Sequence, residues 1–260
     1  MKTIVLVSDI HNNLEALKKF TKKNAGNQII CLGDIIGYNE EFDPNKSVDE
    51  IRKNNIYSIA GNWDRMVNIK EAPGLNYNGD TDFEKKLLKE QEIYGGTVPN
   101  NKYYTQSTKN ALESIITGIS QENKDYLNSL KDTYSIHGIY YFVHGGFHES
   151  QLKKELKEST DFNVKQFNYN AFITGKESDS QLVPGKIIIL GHTHSAAVFY
   201  EGKYEEISNS SENTEFEIEN DKGTVIILPS LGRKVKENEF NGYALMKVSK
   251  KKTKINFLKI

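Results

Sequence analysis

The chain has 260 residues, and its 34 basic against 35 acidic side chains leave a formal net charge of −1, so no global field draws it to nucleic acid or to an anionic membrane. It is long enough to bury a full core, and an aromatic content of 10% excludes a disordered chain. Cys31 is the only cysteine, which excludes an intrachain disulfide and points to a reducing compartment, the cytoplasm by default.

The opening "TIVLVSDIH" reads as a strand rather than a signal peptide, because no small-residue cleavage site follows it. No apolar stretch approaches the length of a membrane span. "NNLEALKKFTKKN" then carries Leu14, Leu17 and Phe20 at helical spacing. "NQIICLGDIIGY" is a second strand, "SVDEIRKNN" a short helix with Ser47 placed to cap it, and "IYSIAGN" a third strand. Strand and helix alternating over short links argue a parallel or mixed sheet covered by helices.

Residues 80–131 change character. "TDFEKKLLKEQEIYG", "STKNALESIITGI" and "SQENKDYLNSL" read as helices, the last capped by Ser120, and together they look like a helical insertion into one domain spanning 1–260. "GIYYFVHGG" returns to strand, and so does "KIIIL", bounded by Pro184-Gly185 and Gly191. Beyond it the pattern is all β. "AAVFYEGKYEEI" is a hairpin on a Glu201-Gly202 turn, followed by "TEFEIE", "TVIILPS", "NGYALMKVS" and "KTKINFLKI". The polar "SNSSENTE" between them reads as a loop.

Five of these strands end in metal-capable side chains, most of them beside glycine: Asp9-Ile10-His11, Gly33-Asp34, Gly61-Asn62, His144-Gly145 and Gly191-His192-Thr193-His194. In an open α/β sheet such ends converge on the ligand crevice. Extended chain after Leu190 would put His192 and His194 on one side. Seven oxygen and nitrogen donors delivered to one place are enough for two divalent ions, and mixed His, Asp and Asn donors suit Mn, Fe, Zn or Ni better than Ca or Mg.

In type and order these motifs resemble those of the calcineurin-like metallophosphoesterase superfamily. "SDIHNNLEAL", "GDIIGY" and "LPSLGRKVKENEFNGYAL" are similar to its compact prokaryotic phosphodiesterase-like branch. The resemblance implies an α/β fold, a two-sheet β-sandwich flanked by helices. It implies that Asp9, His11, Asp34 and His194 hold one metal and that Asp34, Asn62, His144 and His192 hold the other, with manganese favoured. Two ions that close can share a water and present hydroxide to a phosphorus. Asp34, Asn62, Asp64 and His144 are then the expected catalytic residues of a metal-dependent phosphoesterase, a phosphodiesterase by branch, acting on a small phosphate-ester or nucleotide-type substrate.

One motif departs from that pattern. Many superfamily members carry a histidine after the glycine-asparagine pair, thought to protonate the leaving group, whereas "GNWDR" has Trp63. Indole has no proton to give, and loss of a general acid costs about 10²–10⁴ in rate. The expectation is therefore a hydrolase of esters with good leaving groups. Trp63 is also a candidate to stack on an aryl or base ring, against a rim-packing role. Arg65 and Arg233 are candidate phosphate forks, against solvated surface roles. Asn13 is a candidate substrate contact, or the cap of the helix it precedes. His148 is a candidate substitute acid, while Arg52, His137 and Cys31 read as structural. Two other readings stay open on the same resemblance: a protein or dinucleotide-polyphosphate phosphatase, and a protein-binding scaffold on this fold, which the loss of the histidine favours. A homo-oligomer is a further reading, with the 80–131 insertion a candidate roof over the crevice or a candidate dimer contact.

Overall fold

The computed structural model describes residues 2–38, 43–68, 113–147, 167–168, 181–211, 214–232 and 240–260. Two six-stranded mixed sheets carry the fold. In the first, strand β1 (Lys2–Val7) lies between β2 (Gln28–Cys31), which runs parallel to it, and β13 (Gly242–Val248), which runs antiparallel. β3 (Tyr57–Ser58) extends this sheet beyond β2, while β14 (Lys252–Lys259) and β11 (Glu215–Glu219) extend it beyond β13. The second sheet centres on β8 (Ile187–Leu190), parallel to both β5 (Tyr140–Val143) and β12 (Thr224–Ile227). β4 (Thr133–Ile136) edges it on one side. β9 (Ala196–Tyr200) and β10 (Lys203–Ile207) close the other. A two-residue ribbon, β6 (Gly146–Phe147) with β7 (Phe167–Asn168), stands apart from both sheets.

The period-2 alternation of the strands builds the layers. Ile4 and Leu6 of β1 join Ile30, Tyr140, Phe142, Ile187, Ile189, Val198, Ile226, Ala244 and Met246 in the core between the sheets. Val5 and Val7 face the other way, onto the helices. There Leu17 and Phe20 of α1 (Leu14–Lys23) pack with Val48 and Ile51 of α2 (Pro44–Lys53). Leu127 of α4 (Gln121–Ser129) joins them, next to the single turn α3 (Asn62–Arg65). Strands β8 and β5 are buried on both faces, which is why "IIIL" and "YYFV" read as unbroken apolar runs.

Several expectations hold in detail. The Glu201-Gly202 turn has φ of 48° and 76°, both left-handed as a two-residue hairpin loop requires, and Tyr200 pairs with Lys203. Ser120 caps α4 by accepting from the Asn123 N–H at 3.2 Å. Others need correction. Ser47 does not cap α2: the helix starts earlier, with Asp43 as its cap accepting from Asn45 and Pro44 in its first turn, and Ser47 Oγ is buried without a hydrogen-bond partner. Four of the strands before the candidate ligand motifs are also shorter than expected, ending at Val7, Cys31, Ser58 and Val143, whereas β8 ends at Leu190 as read. β4 went unread in the sequence altogether. Of the helical stretch expected over 80–131, residues 113–118 are helical and Ile115 lies with Leu127 in the same core as α1 and α2; residues 80–112 lie outside the described residues. Among the described residues no helix is long and apolar enough to cross a membrane.

Candidate metal centre

The loops after β1, β2, β3, β5 and β8 meet at one end of the two sheets. The first two are zipped together, the N–H groups of Asp9, Ile10 and Asn12 donating to the carbonyls of Gly33, Asp34 and Ile35 at 2.9–3.1 Å. The last two are joined by Gly191 N–H donating to the His144 carbonyl at 2.8 Å. The sheets are tied to each other here by an isolated bridge between Ser8 and Ser230, and Ser230 Oγ donates to the Asp9 carbonyl at 2.8 Å. Glycine beside several of the candidate ligands is a matter of space. A Cβ on Gly61 would stand 2.1 Å from Asp34 Oδ1, and one on Gly191 would stand 2.1 Å from Ser8 Oγ.

Two clusters result, Asp9 with His11 and His194, and Asp34 with His144 and His192, each with its donor atoms within 4.8 Å of one another. His11 Nε2 and His194 Nε2 are 2.9 Å apart and lie 3.8 and 3.4 Å from Asp9 Oδ1. In the second cluster Asn62 Oδ1 sits 3.0 Å from both His144 Nε2 and His192 Nδ1. Asp34 Oδ2 joins the clusters, 3.2 Å from His144 Nε2 and 3.8 Å from His11 Nε2, while its other oxygen accepts from Trp63 N–H at 2.9 Å.

Backbone conformation sets these donors in place. Asp9, His11, Asp34, His192 and His194 all have φ between 47° and 66°, the sparsely populated left-handed region for side-chain-bearing residues. His192 and His194 are thus not on extended chain, and they do not share a side. Left-handed backbone at His192 and again at His194, with Thr193 between them, aims one ring at each cluster.

The donor chemistry fits divalent ions. Asp9 Oδ1 is buried and accepts no hydrogen bond, although it faces two imidazoles. His144 Nδ1 donates to the Leu32 carbonyl at 2.7 Å, which fixes the tautomer and turns Nε2 toward Asp34 and Asn62. Acceptors face both nitrogens of this imidazole: burial alone would lower its pKa, but Asp34 and then Asp9 raise it to about 9. His192 is pushed the other way, to about 3, by burial and then by the charge His144 would carry beside it when protonated. Burial raises the Asp34 carboxyl, whereas for Asp9 the effect of burial is outweighed by His194, His144 and His11, which hold its carboxyl well below the usual range.

The remaining candidates fall into other roles. Asp64 is buried and spends its carboxylate on backbone, accepting from Gly61 N–H at 2.9 Å and from Ile35 and Ile36 N–H at 3.0 and 3.3 Å, so it locks the Asp34 and Asn62 loops together. Burial, then the Asp34 charge, raise its pKa to about 7. This is the geometry of a positioning residue rather than a catalytic one. Arg65 donates to Asp132 at 2.5 Å and to the carbonyls of Leu127 and Leu130, pinning the end of α4; its guanidinium is a structural clamp. Asn13 caps α1 through Ala16 N–H and donates to the Gly232 carbonyl. Trp63 is only 4% exposed and packs in the helix-side core, which leaves no free face for a substrate ring. Arg52 bridges to Glu122 and Asn123 on α4, His137 sits in the β4–β5 turn, and Cys31 is core, its thiol pushed up by burial. Arg233 and His148 lie outside the described residues. Sequence reasoning missed Tyr38, whose ring lies 4.8 Å from that of His11; its one signal was an aromatic closing the "GDIIGY" ligand loop.

Residues 1–251 match the calcineurin-like phosphoesterase superfamily domain. The chain belongs to that superfamily. As a calcineurin-like phosphoesterase it has the fold of a metallophosphoesterase from Sphaerobacter thermophilus, with a TM-score of 0.59 at 19% identity over 99% of this chain and 88% of that one. A putative diadenosine tetraphosphatase shares the fold at a TM-score of 0.50 and 16% identity, over 99% and 93% of the two chains. An uncharacterised protein of Methanocaldococcus jannaschii is 47% identical over 72 residues, which span 26% of this chain and 29% of that protein. This calcineurin-like phosphoesterase superfamily member therefore carries the two-sheet fold of its relatives together with two candidate metal-ligand clusters.

Proposed function

We propose that the protein is a dinuclear metal-dependent phosphodiesterase acting on substrates with good leaving groups. The observation that carries this reading is Asp34 Oδ2, which faces one imidazole of each cluster at 3.2 and 3.8 Å and so stands where a shared ligand must. Asp9, His11 and His194 would hold one ion, and Asn62, His144 and His192 the other. Divalent ions in such a pair supply an activated water and neutralise the charge that develops on phosphate oxygens.

The chain's own residues supply order. Trp63 N–H fixes one oxygen of Asp34, the Leu32 carbonyl fixes the His144 ring, and Asp64 fixes the loops that carry Asp34 and Asn62. The indole of Trp63 cannot protonate a leaving group, and this supports aryl or phosphate leaving groups over simple alkoxides. The donor set suits Mn, Fe, Zn or Ni, with manganese our first choice. Buried Cys31 fits a cytoplasmic setting.

Elemental analysis of the purified protein, with a bis(4-nitrophenyl) phosphate assay and Asp34→Asn as control, tests the reading. We expect about two ions per chain, hydrolysis that chelation abolishes, and a variant that loses metal and rate together. Aryl esters should turn over at least about 100-fold faster than alkyl monoesters. A protein that takes up no metal and leaves the diester intact would instead be a scaffold on this fold.

A further inference from the structure

Trp63 and Tyr38 form a pair whose members differ in exposure. Their ring centroids are 4.5 Å apart at an interplanar angle of 61°, an edge contact, with Trp63 buried and Tyr38 part-exposed. Tyr38 also lies 4.8 Å from the His11 ring and 6.4 Å from the His194 ring, centroid to centroid, so it borders the Asp9 cluster directly. Its loop is held firmly. Asn12 Nδ2 donates to the Gly37 carbonyl at 2.9 Å, and Asp64 accepts from the two residues before Gly37. Gly37 has φ of 143°, and a Cβ there would meet His11 Nδ1 at 2.3 Å and Trp63 Cγ at 3.1 Å. The chain therefore presses Tyr38 against the indole and the ligand histidine in one fixed pose.

We infer that Tyr38, not Trp63, docks a ring of the substrate ester beside the metal pair, and that Trp63 is the positioning residue behind it. This deepens the phosphodiesterase reading and rests on it: the preferred substrates are diesters carrying an aryl or nucleobase ring. A part-exposed phenol on a buried indole offers an apolar edge next to the centre, and stacking on such an edge tolerates many rings because each presents a π face.

The chain's single tryptophan makes the pair observable, since all tryptophan emission comes from position 63. The metal-loaded protein is titrated with diphenyl phosphate and with diethyl phosphate, reading Trp63 emission and, by calorimetry, affinity. We expect diphenyl phosphate to shift the emission and to bind roughly tenfold tighter, the factor one ring stack supplies. Tyr38→Phe should keep that preference and Tyr38→Leu should abolish it, with both variants checked for fold by circular dichroism. Equal affinities of the wild type for the two diesters, or a preference that survives in a folded Tyr38→Leu, would overturn the inference. Should Tyr38→Leu not fold, the wild-type ratio alone decides. Hydrolysis of bis(4-nitrophenyl) phosphate by the same preparation separates the two levels: turnover without ring preference sinks only the role of Tyr38, whereas no turnover sinks the phosphodiesterase reading beneath it.

Discussion

Gly61→Ala is the sharpest test of how the centre is held. Gly61 has φ of −97° and ψ of 178°, a conformation alanine adopts freely, so the whole effect is steric. The added Cβ would lie 2.1 Å from Asp34 Oδ1, 2.8 Å from its Cγ and 2.3 Å from its backbone N. Rotating the side chain cannot relieve a clash with backbone, so the two loops must part by about 1 Å to reach an ordinary contact. Overpacking on this scale costs about 1–3 kcal/mol. Parting the loops also stretches the hydrogen bonds from Trp63 N–H to Asp34 and from Gly61 N–H to Asp64, worth about 1.5–3 kcal/mol each for a charged acceptor, of which a fraction is lost. We expect a total near 3 kcal/mol by urea denaturation, and an affinity for the second ion, by calorimetric titration, about 10–100-fold weaker. Gly118→Ala is the matched control: nothing among the described residues lies within 4 Å of its added Cβ, and alanine in place of glycine at a helix end should be neutral or stabilising by up to about 1 kcal/mol. Wild-type affinity for both ions in Gly61→Ala would refute the claim that close approach of these loops sets the Asp34 position.

Two further outcomes follow from the corrected roles. Arg65→Ala should cost about 1–2 kcal/mol in urea denaturation, from the lost Asp132 pair and the carbonyls at the end of α4, while kcat/KM on bis(4-nitrophenyl) phosphate stays within about twofold. At the start of α2, Asp43→Ala should cost about 1 kcal/mol as a lost cap. Ser47→Ala, which removes a buried hydroxyl without a partner and adds helix propensity, should cost nothing or stabilise by the same measurement.

The two candidate clusters were legible because most of their members follow an apolar strand and stand beside a glycine, and both features are local. The hairpin at Glu201-Gly202 and the Ser120 cap were legible for the same reason. The left-handed backbone at Asp9, Asp34, His192 and His194 was not, since it is enforced by loops zipped across large sequence separations, and extended geometry was the natural but wrong extrapolation from "IIIL". The α2 start was misread although its signal was present: Asp43-Pro44 is a cap followed by a first-turn proline, and Ser47 competed with it only while burial was unknown. Trp63 and Arg65 were placed at the site by proximity to Asn62 in sequence. Their environments are decided by partners such as Tyr38 and Asp132, which no spacing rule links to them.

The position of β1 has a consequence for folding. Flanked by β2 on one side and by residues 242–248 on the other, it stays half-paired until segments far apart in the chain have met. In the loop bearing Asp9 and His11, the Asp9 carbonyl must likewise wait for its donors, Ser230 Oγ and Gly232 N–H. Pairing across such a sequence separation is slow to form, so the Asp9 loop takes its final shape late in folding, after β13 has met β1.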